Sequence, residues 1–164
     1  YIEMECVIYE RKIKYEDGEF YWWYSYNQSG AVKNPRWRIF KQSNCNNRKK
    51  IPVYKSIMIM GKRIKIHRIM YYLHNPEWDI YDNSRENLID HIDRNGMNNN
   101  IENLRVVTNQ QNMWNRAGKN YAWSGYSWRV KIYLNNKPIH GGMFKNEEDA
   151  IKRVQEMKAE YHSF

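Results

Sequence analysis

The sequence predicts an α+β protein, with a β-rich N-terminal segment, a central strand–strand–helix unit and a C-terminal three-stranded sheet carrying a helix. Three observations lead there. Short aromatic and β-branched runs, broken by turn residues, fill the first third of the chain. Two strand-like runs of four to five residues precede a helix-capping signature near Thr108. Three further short runs then give way to apolar residues at helical spacing from Ala150 to Tyr161.

Taken in order, Phe20–Tyr26 is an aromatic strand ending in the turn Asn27-Gln28-Ser29-Gly30. Arg36–Lys41 mixes basic and apolar residues, and residues 42–50 form an exposed basic loop. Val53–Met60 and Arg63–Arg68 make a hairpin around Gly61-Lys62, in which Ile64 and Ile66 point one way while Arg63, Lys65 and His67 form a basic row on the other. A short helix occupies Ile66–Leu73 and stops at His74-Asn75-Pro76, because the residue before proline avoids the helical region. An acidic loop covers 77–86. Leu88–Ile92 and Leu104–Val107 are strands joined by the turn Asp93–Gly96 and an Asn-rich loop. Thr108 caps the next helix, with Gln111 completing a capping box and Gly118 as its stop. Strands at Tyr121–Trp123, Trp128–Leu134 and Ile139–Phe144 follow, with turns at Ser124-Gly125 and Asn135-Asn136-Lys137. Asn146 caps the last helix, which places Ala150, Ile151, Val154, Met157, Lys158 and Tyr161 near one face.

The net charge is +9, and its distribution says more than its size. No Asp or Glu occurs from Phe20 to Pro76, whereas Lys33, Arg36, Arg38, Lys41, Arg48, Lys49, Lys50, Lys55, Lys62, Arg63, Lys65 and Arg68 all lie there. A merely solvated face would intersperse acids to limit self-repulsion. A long acid-free basic stretch fits a surface that lies along phosphates. Cys6 and Cys45 form no CxxC pair, so a structural zinc site is not expected, and nothing requires a disulfide between them. No apolar run approaches the ~20 residues that span a bilayer. The acidic start Tyr1-Ile2-Glu3-Met4-Glu5 is unlike a signal peptide, and the absent initiator Met is what a trimmed or partial chain would show. Two free thiols fit a reducing, intracellular compartment, and a monomer is expected, since nothing marks a dimer interface.

Asp90-His91, Asn103 and Asn112 carry the chemistry. Phosphodiester hydrolysis needs a cation against developing negative charge, a base for water, and a scaffold that holds both on the phosphate. Carboxylate and amide oxygens suit a hard ion such as Mg²⁺ or Mn²⁺. An imidazole is mostly neutral near pH 7 and can take a proton there. Consecutive strand residues point to opposite faces, so Asp90 and His91 share a site only where the strand ends or distorts; the turn at Asp93–Gly96 allows it.

The stretch Asp90-His91-Ile92-Asp93-Arg94-Asn95-Gly96-Met97-Asn98-Asn99-Asn100-Ile101-Glu102-Asn103-Leu104, continued to Asn112, resembles the motif of the HNH homing endonucleases of phages and introns. Ile66-His67-Arg68-Ile69-Met70 resembles the segment that precedes the motif in that family. The resemblance covers residues 55–117. It implies a ββα-metal (His-Me) finger, with His91 as general base, Asp90 and Asn112 as ligands of a Mg²⁺ or Mn²⁺ ion, and Asn103 organising the loop. The last position is Asn112 rather than His, and the family often has Gly where Arg94 stands. Residues 117–164 are similar to the ethylene-response-factor type of DNA-binding module, through Trp128–Ile132, Lys137–Phe144 and Glu147–Ala150.

The resulting division is a basic β-rich DNA-contacting segment at 1–68, a nuclease core at 69–117 and a DNA-binding module at 118–164. The expected partner is double-stranded DNA, touched by Arg36, Arg38, Lys62, Arg63, Lys65, Arg94, Arg105, Arg116, Arg129 and Lys131. Trp123 and Trp128 fit either DNA contact or core packing. The alternatives are a DNA-binding protein with an inactive nuclease centre and, from charge and aromatics alone, an RNA-binding protein.

Overall fold

The computed structural model describes residues 3–26, 32–46, 52–115 and 118–162. They group into two compact units, one of residues 1–82 with 95–105 and one of residues 83–94 with 106–164. The fold class is α+β, as the sequence predicts.

The first unit begins with an antiparallel meander of β1 (Met4–Ile8), β2 (Arg11–Glu16), β3 (Glu19–Tyr26) and β4 (Val32–Ile39). Its first two turns are two-residue hairpins with left-handed backbone, Tyr9-Glu10 (φ 49° and 61°) and Asp17-Gly18 (φ 50° and 84°). Residues opposite one another share a face. Ile8, Ile13 and Phe20 are at most 1% exposed and anchor the inner face. The turn expected at 27–30 lies outside the described residues.

A second sheet joins β5 (Ser43–Asn46), β6 (Pro52–Ile59) and β7 (Lys62–Lys65). Part of the expected loop at 42–50 is therefore a strand, paired Ser43 to Ser56 and Cys45 to Tyr54; residues 47–50 lie outside the described set. The hairpin turns at Met60-Gly61 (φ 48° and 77°). Its second arm is shorter than expected, because α1 (Ile66–His74) starts directly after Lys65. His67 consequently leaves the basic row. It lies three residues before Met70 on the inward stripe of the helix and is buried edge-on to the Tyr54 ring at 5.3 Å. Arg68 also turns inward, donating to the carbonyls of Ile80 and Asp82 at 2.7 and 2.8 Å and stacking on Trp78, so it pins the acidic loop. The helix stops where expected, with the Asn75 N–H donating to Tyr71 O. A 3₁₀ turn at Ile101–Asn103 packs on α1.

The second unit contains β8 (Leu88–His91) and α2 (Asn109–Trp114). Between them β9 (Leu104–Val107) pairs with β8 as a two-stranded sheet. β10 (Tyr121–Trp123), β11 (Trp128–Leu134) and β12 (Lys137–Phe144) form a three-stranded sheet under α3 (Glu147–Tyr161). Val130, Ile132, Ala150, Val154 and Met157 make its core, with Trp128 and Tyr161 packed against them. Trp128 is thus a core residue, whereas Trp123 is 52% exposed. Ile151 is off the packed face and 37% exposed. Asn146 holds the capping position, but its amide donates to Asp149 at 3.5 Å and makes no cap bond to the backbone.

None of the residues of α2 is buried; neighbours hold it. Gln110 Nε2 and Trp114 Nε1 both donate to Tyr133 O, at 3.2 and 3.3 Å, and Gln110 Oε1 accepts from Asn135 N at 2.8 Å. His162 stacks on the Trp114 ring at 4.4 Å and 8°. The helix ends at Trp114 with Asn115 as its C-cap, so Gly118 is not its stop. Both cysteines are free, and no helix among the described residues is long and apolar enough to cross a membrane.

Candidate functional site

Asp90 and His91 are the last two residues of β8, and both are buried, at 7% and 5% exposure. The chain turns immediately after them: Arg94 N donates to His91 O at 2.9 Å, and Arg94 adopts φ 64°, a left-handed conformation that glycine takes most easily. The strand thus ends directly after the pair.

Opposite stands α2, which packs against β8. Its start is fixed by the predicted capping box: Gln111 N donates to Thr108 Oγ1 at 3.2 Å and Thr108 N to Gln111 Oε1 at 2.9 Å. Asn109 N ties the same turn to Arg85 O at 2.6 Å. Asn112 is half-buried and sits three residues before Asn115, hence on the same side of the helix. Asn115 reaches the strand end itself. Its Nδ2 lies 3.1 and 2.9 Å from the two carboxylate oxygens of Asp90 and 2.8 Å from His91 O, while its Oδ1 accepts from Arg94 Nε at 3.3 Å. Sequence reasoning missed Asn115, because a helix drawn through to Gly118 gives that position no special standing.

Asn103 has a different setting. It is buried, its Nδ2 donates to Asn98 O at 2.9 Å, and its own N–H goes to Asn100 O at 2.9 Å. Asn95 Oδ1, Asn98 Oδ1 and Asn100 Oδ1 each accept from the backbone two residues on, at 3.1, 3.4 and 3.3 Å. Short amide side chains closing such turns explain why the loop is rich in Asn. Gly96 is packed where no side chain fits: a Cβ there would lie 2.1 Å from Val53 O.

A divalent ion can be tested against these donors. Among the described residues no group of three or more His, Cys, Asp or Glu side chains clusters as a metal site. The expected set asks for less, one carboxylate from Asp90 and one amide oxygen from Asn112, with phosphate and water completing an octahedron. All are hard oxygen donors, and a buried carboxylate held by amide N–H groups keeps lone pairs for a cation. The residue types fit Mg²⁺ or Mn²⁺.

Of the proposed DNA contacts, Arg36, Arg38, Lys62, Arg63, Lys65, Arg94, Arg129 and Lys131 are exposed, Arg105 is half-buried, and Arg116 lies outside the described residues. Arg38 covers the Tyr24 ring at 3.9 Å, Lys62 the Tyr9 ring at 4.2 Å and Lys65 the Tyr54 ring at 4.6 Å. Acids meet other bases instead: Lys12 pairs with Glu5 at 2.7 Å and Lys14 with Glu16 at 2.8 Å. On the C-terminal sheet Arg129 donates to Tyr126 Oη at 3.3 Å, and Lys131 lies over the Tyr133 ring.

Residues 65–114 match the family model of the HNH endonucleases. No curated protein and no solved structure matches the chain. The match runs through α1, β8, β9 and α2, takes in Asp90, His91, Asn103 and Asn112, and supports an HNH nuclease acting on DNA.

Proposed function

We propose that the chain is a metal-dependent endonuclease of the HNH homing type, an intracellular monomer that hydrolyses phosphodiester bonds in double-stranded DNA. The observation that carries this reading is the coincidence of the family match with a buried Asp90-His91 pair at a strand end, reached by Asn115 at the end of α2, three residues beyond Asn112.

In the proposed reaction the His91 imidazole takes a proton from water as the water oxygen attacks phosphorus, the bond from phosphorus to the leaving sugar oxygen breaks, and that oxygen takes a proton from solvent water. Asp90 and Asn112 would hold a Mg²⁺ or Mn²⁺ ion, which supplies electrostatic stabilisation of the charge developing on the phosphate. Asn103 keeps the loop between the strands in shape through Asn98 and Asn100. The exposed Arg36, Arg38, Lys62, Arg63 and Lys65 and the bases of the C-terminal sheet give the duplex its phosphate contacts, and Trp123, Arg129 and Lys131 reach a groove.

The test is nicking of a supercoiled plasmid with Mg²⁺ and with EDTA. Wild type nicks only with the metal, and His91→Ala slows nicking by about 10²- to 10⁴-fold while retaining DNA binding at matched salt. Binding without metal-dependent nicking, or His91→Ala at the wild-type rate, overturns the reading.

A further inference from the structure

We infer that Asn115 is a positioning residue for the reaction: its amide sets the orientation of the Asp90 carboxylate and thereby how tightly a divalent ion is held there. The inference rests on the metal reading of Asp90 given above. Asn115 follows the last residue of the family match and has no role in the expected ligand set.

The argument is one of geometry. A carboxylate near the end of a strand rotates about its own side-chain bonds unless something holds it. Asn115 Nδ2 sits almost equidistant from both Asp90 oxygens, at 3.1 and 2.9 Å, so it fixes the plane of the group rather than one atom of it. The same nitrogen lies 2.8 Å from His91 O, which ties the carboxylate to the backbone of the neighbouring base. Asn115 Oδ1 in turn receives Arg94 Nε at 3.3 Å, so the amide is itself prevented from flipping end for end. One side chain thus joins the end of β8, the turn after it and the end of α2, and Asn112 lies one turn back on that helix. Donors that orient a ligating carboxylate change metal affinity when removed, by about 10- to 100-fold.

The test uses the full chain and Mn²⁺ as the probe. Bound Mn²⁺ is counted by the electron paramagnetic resonance of the free ion, and the thermal midpoint is recorded in EDTA and in Mn²⁺. Wild type, Asp90→Ala, Asn115→Ala and Asn115→Asp are compared. Asn115→Ala is expected to stay folded in EDTA and to bind Mn²⁺ about 10- to 100-fold more weakly. If it does not fold, Asn115→Asp gives the answer: it fills the same volume but sets a carboxylate against Asp90, so the EDTA midpoint falls and the rise on adding Mn²⁺ exceeds that of wild type. Mn²⁺ affinity within twofold of wild type in a folded Asn115→Ala, or an unchanged midpoint rise in Asn115→Asp, overturns the role of Asn115 alone. Asp90→Ala binding Mn²⁺ like wild type overturns the metal reading beneath it.

Discussion

Substituting Gly96 by Ala asks whether the loop between the two motif strands is held by close backbone packing. A Cβ at position 96 would stand 2.1 Å from Val53 O and 2.6 and 2.7 Å from two ring carbons of Tyr54. Real Cβ atoms essentially never come within 3.0 Å, so one neighbour must retreat by close to an ångström. Tyr54 is poorly placed to yield, with Lys65 over its ring at 4.6 Å and His67 against it at 5.3 Å. Val53 O is backbone within β6, between Pro52 and Tyr54, which both pair with β5, and yields less still. Overpacking of this kind costs about 1–3 kcal/mol, and a carbonyl contact belongs at the upper end. For a chain of 164 residues, ~3 kcal/mol lowers the thermal midpoint by about 6–12 °C. The assay is thermal unfolding by circular dichroism, joined to amide exchange across residues 97–103. Exchange there should quicken, since that loop is closed by local hydrogen bonds, among them those from the backbone to Asn95, Asn98 and Asn100. A midpoint within 1 °C of wild type, with exchange unchanged, would refute the close-packing argument.

Two further predictions concern titratable groups. Burial, with Glu5 adding to it, pushes the Cys6 thiol up to about 12, so at pH 8 it holds roughly a thousandth or less of the thiolate of an ordinary thiol near 8.5. Native alkylation should therefore leave Cys6 unmodified while a free small thiol reacts; mass spectrometry showing comparable rates would contradict it. Burial, then the nearby Lys158, lowers the His162 imidazole below its usual value near 6.5, and its Nε2 is buried without a hydrogen-bond partner among the described residues. A depressed histidine is neutral in the fold, so its contribution is complete above about pH 6.5 and is lost as pH falls from there toward the folded value. The thermal midpoint of wild type should fall faster below pH 6.5 than that of His162→Phe; parallel curves would count against it.

What the sequence revealed was local chemistry. Thr108 and Gln111 announce a helix start because the capping box is written in residue types, and the hydrogen bonds follow it. The alternation in β11 likewise places Val130 and Ile132 inside. What stayed hidden depends on neighbours distant in the chain. Ser43–Asn46 has no apolar pattern and becomes a strand only because β6 offers it a partner. His67 reads as the next basic residue of a row until the helix begins one residue before it. Within the candidate site, Asp90, His91 and Asn112 could be named from the motif, but Asn115 could not. Its meaning comes from where α2 stops, and helix ends are set by what they meet.

The way α2 is seated bears on how the family-matched segment can be cut from its chain. Six residues long and with nothing buried, α2 is held partly by Tyr133, Asn135 and His162, which lie well downstream of the family-matched stretch. A recombinant piece ending near residue 114 would keep every motif letter and lose the cradle under Asn112. The motif's borders in sequence are narrower than its borders as a foldable object.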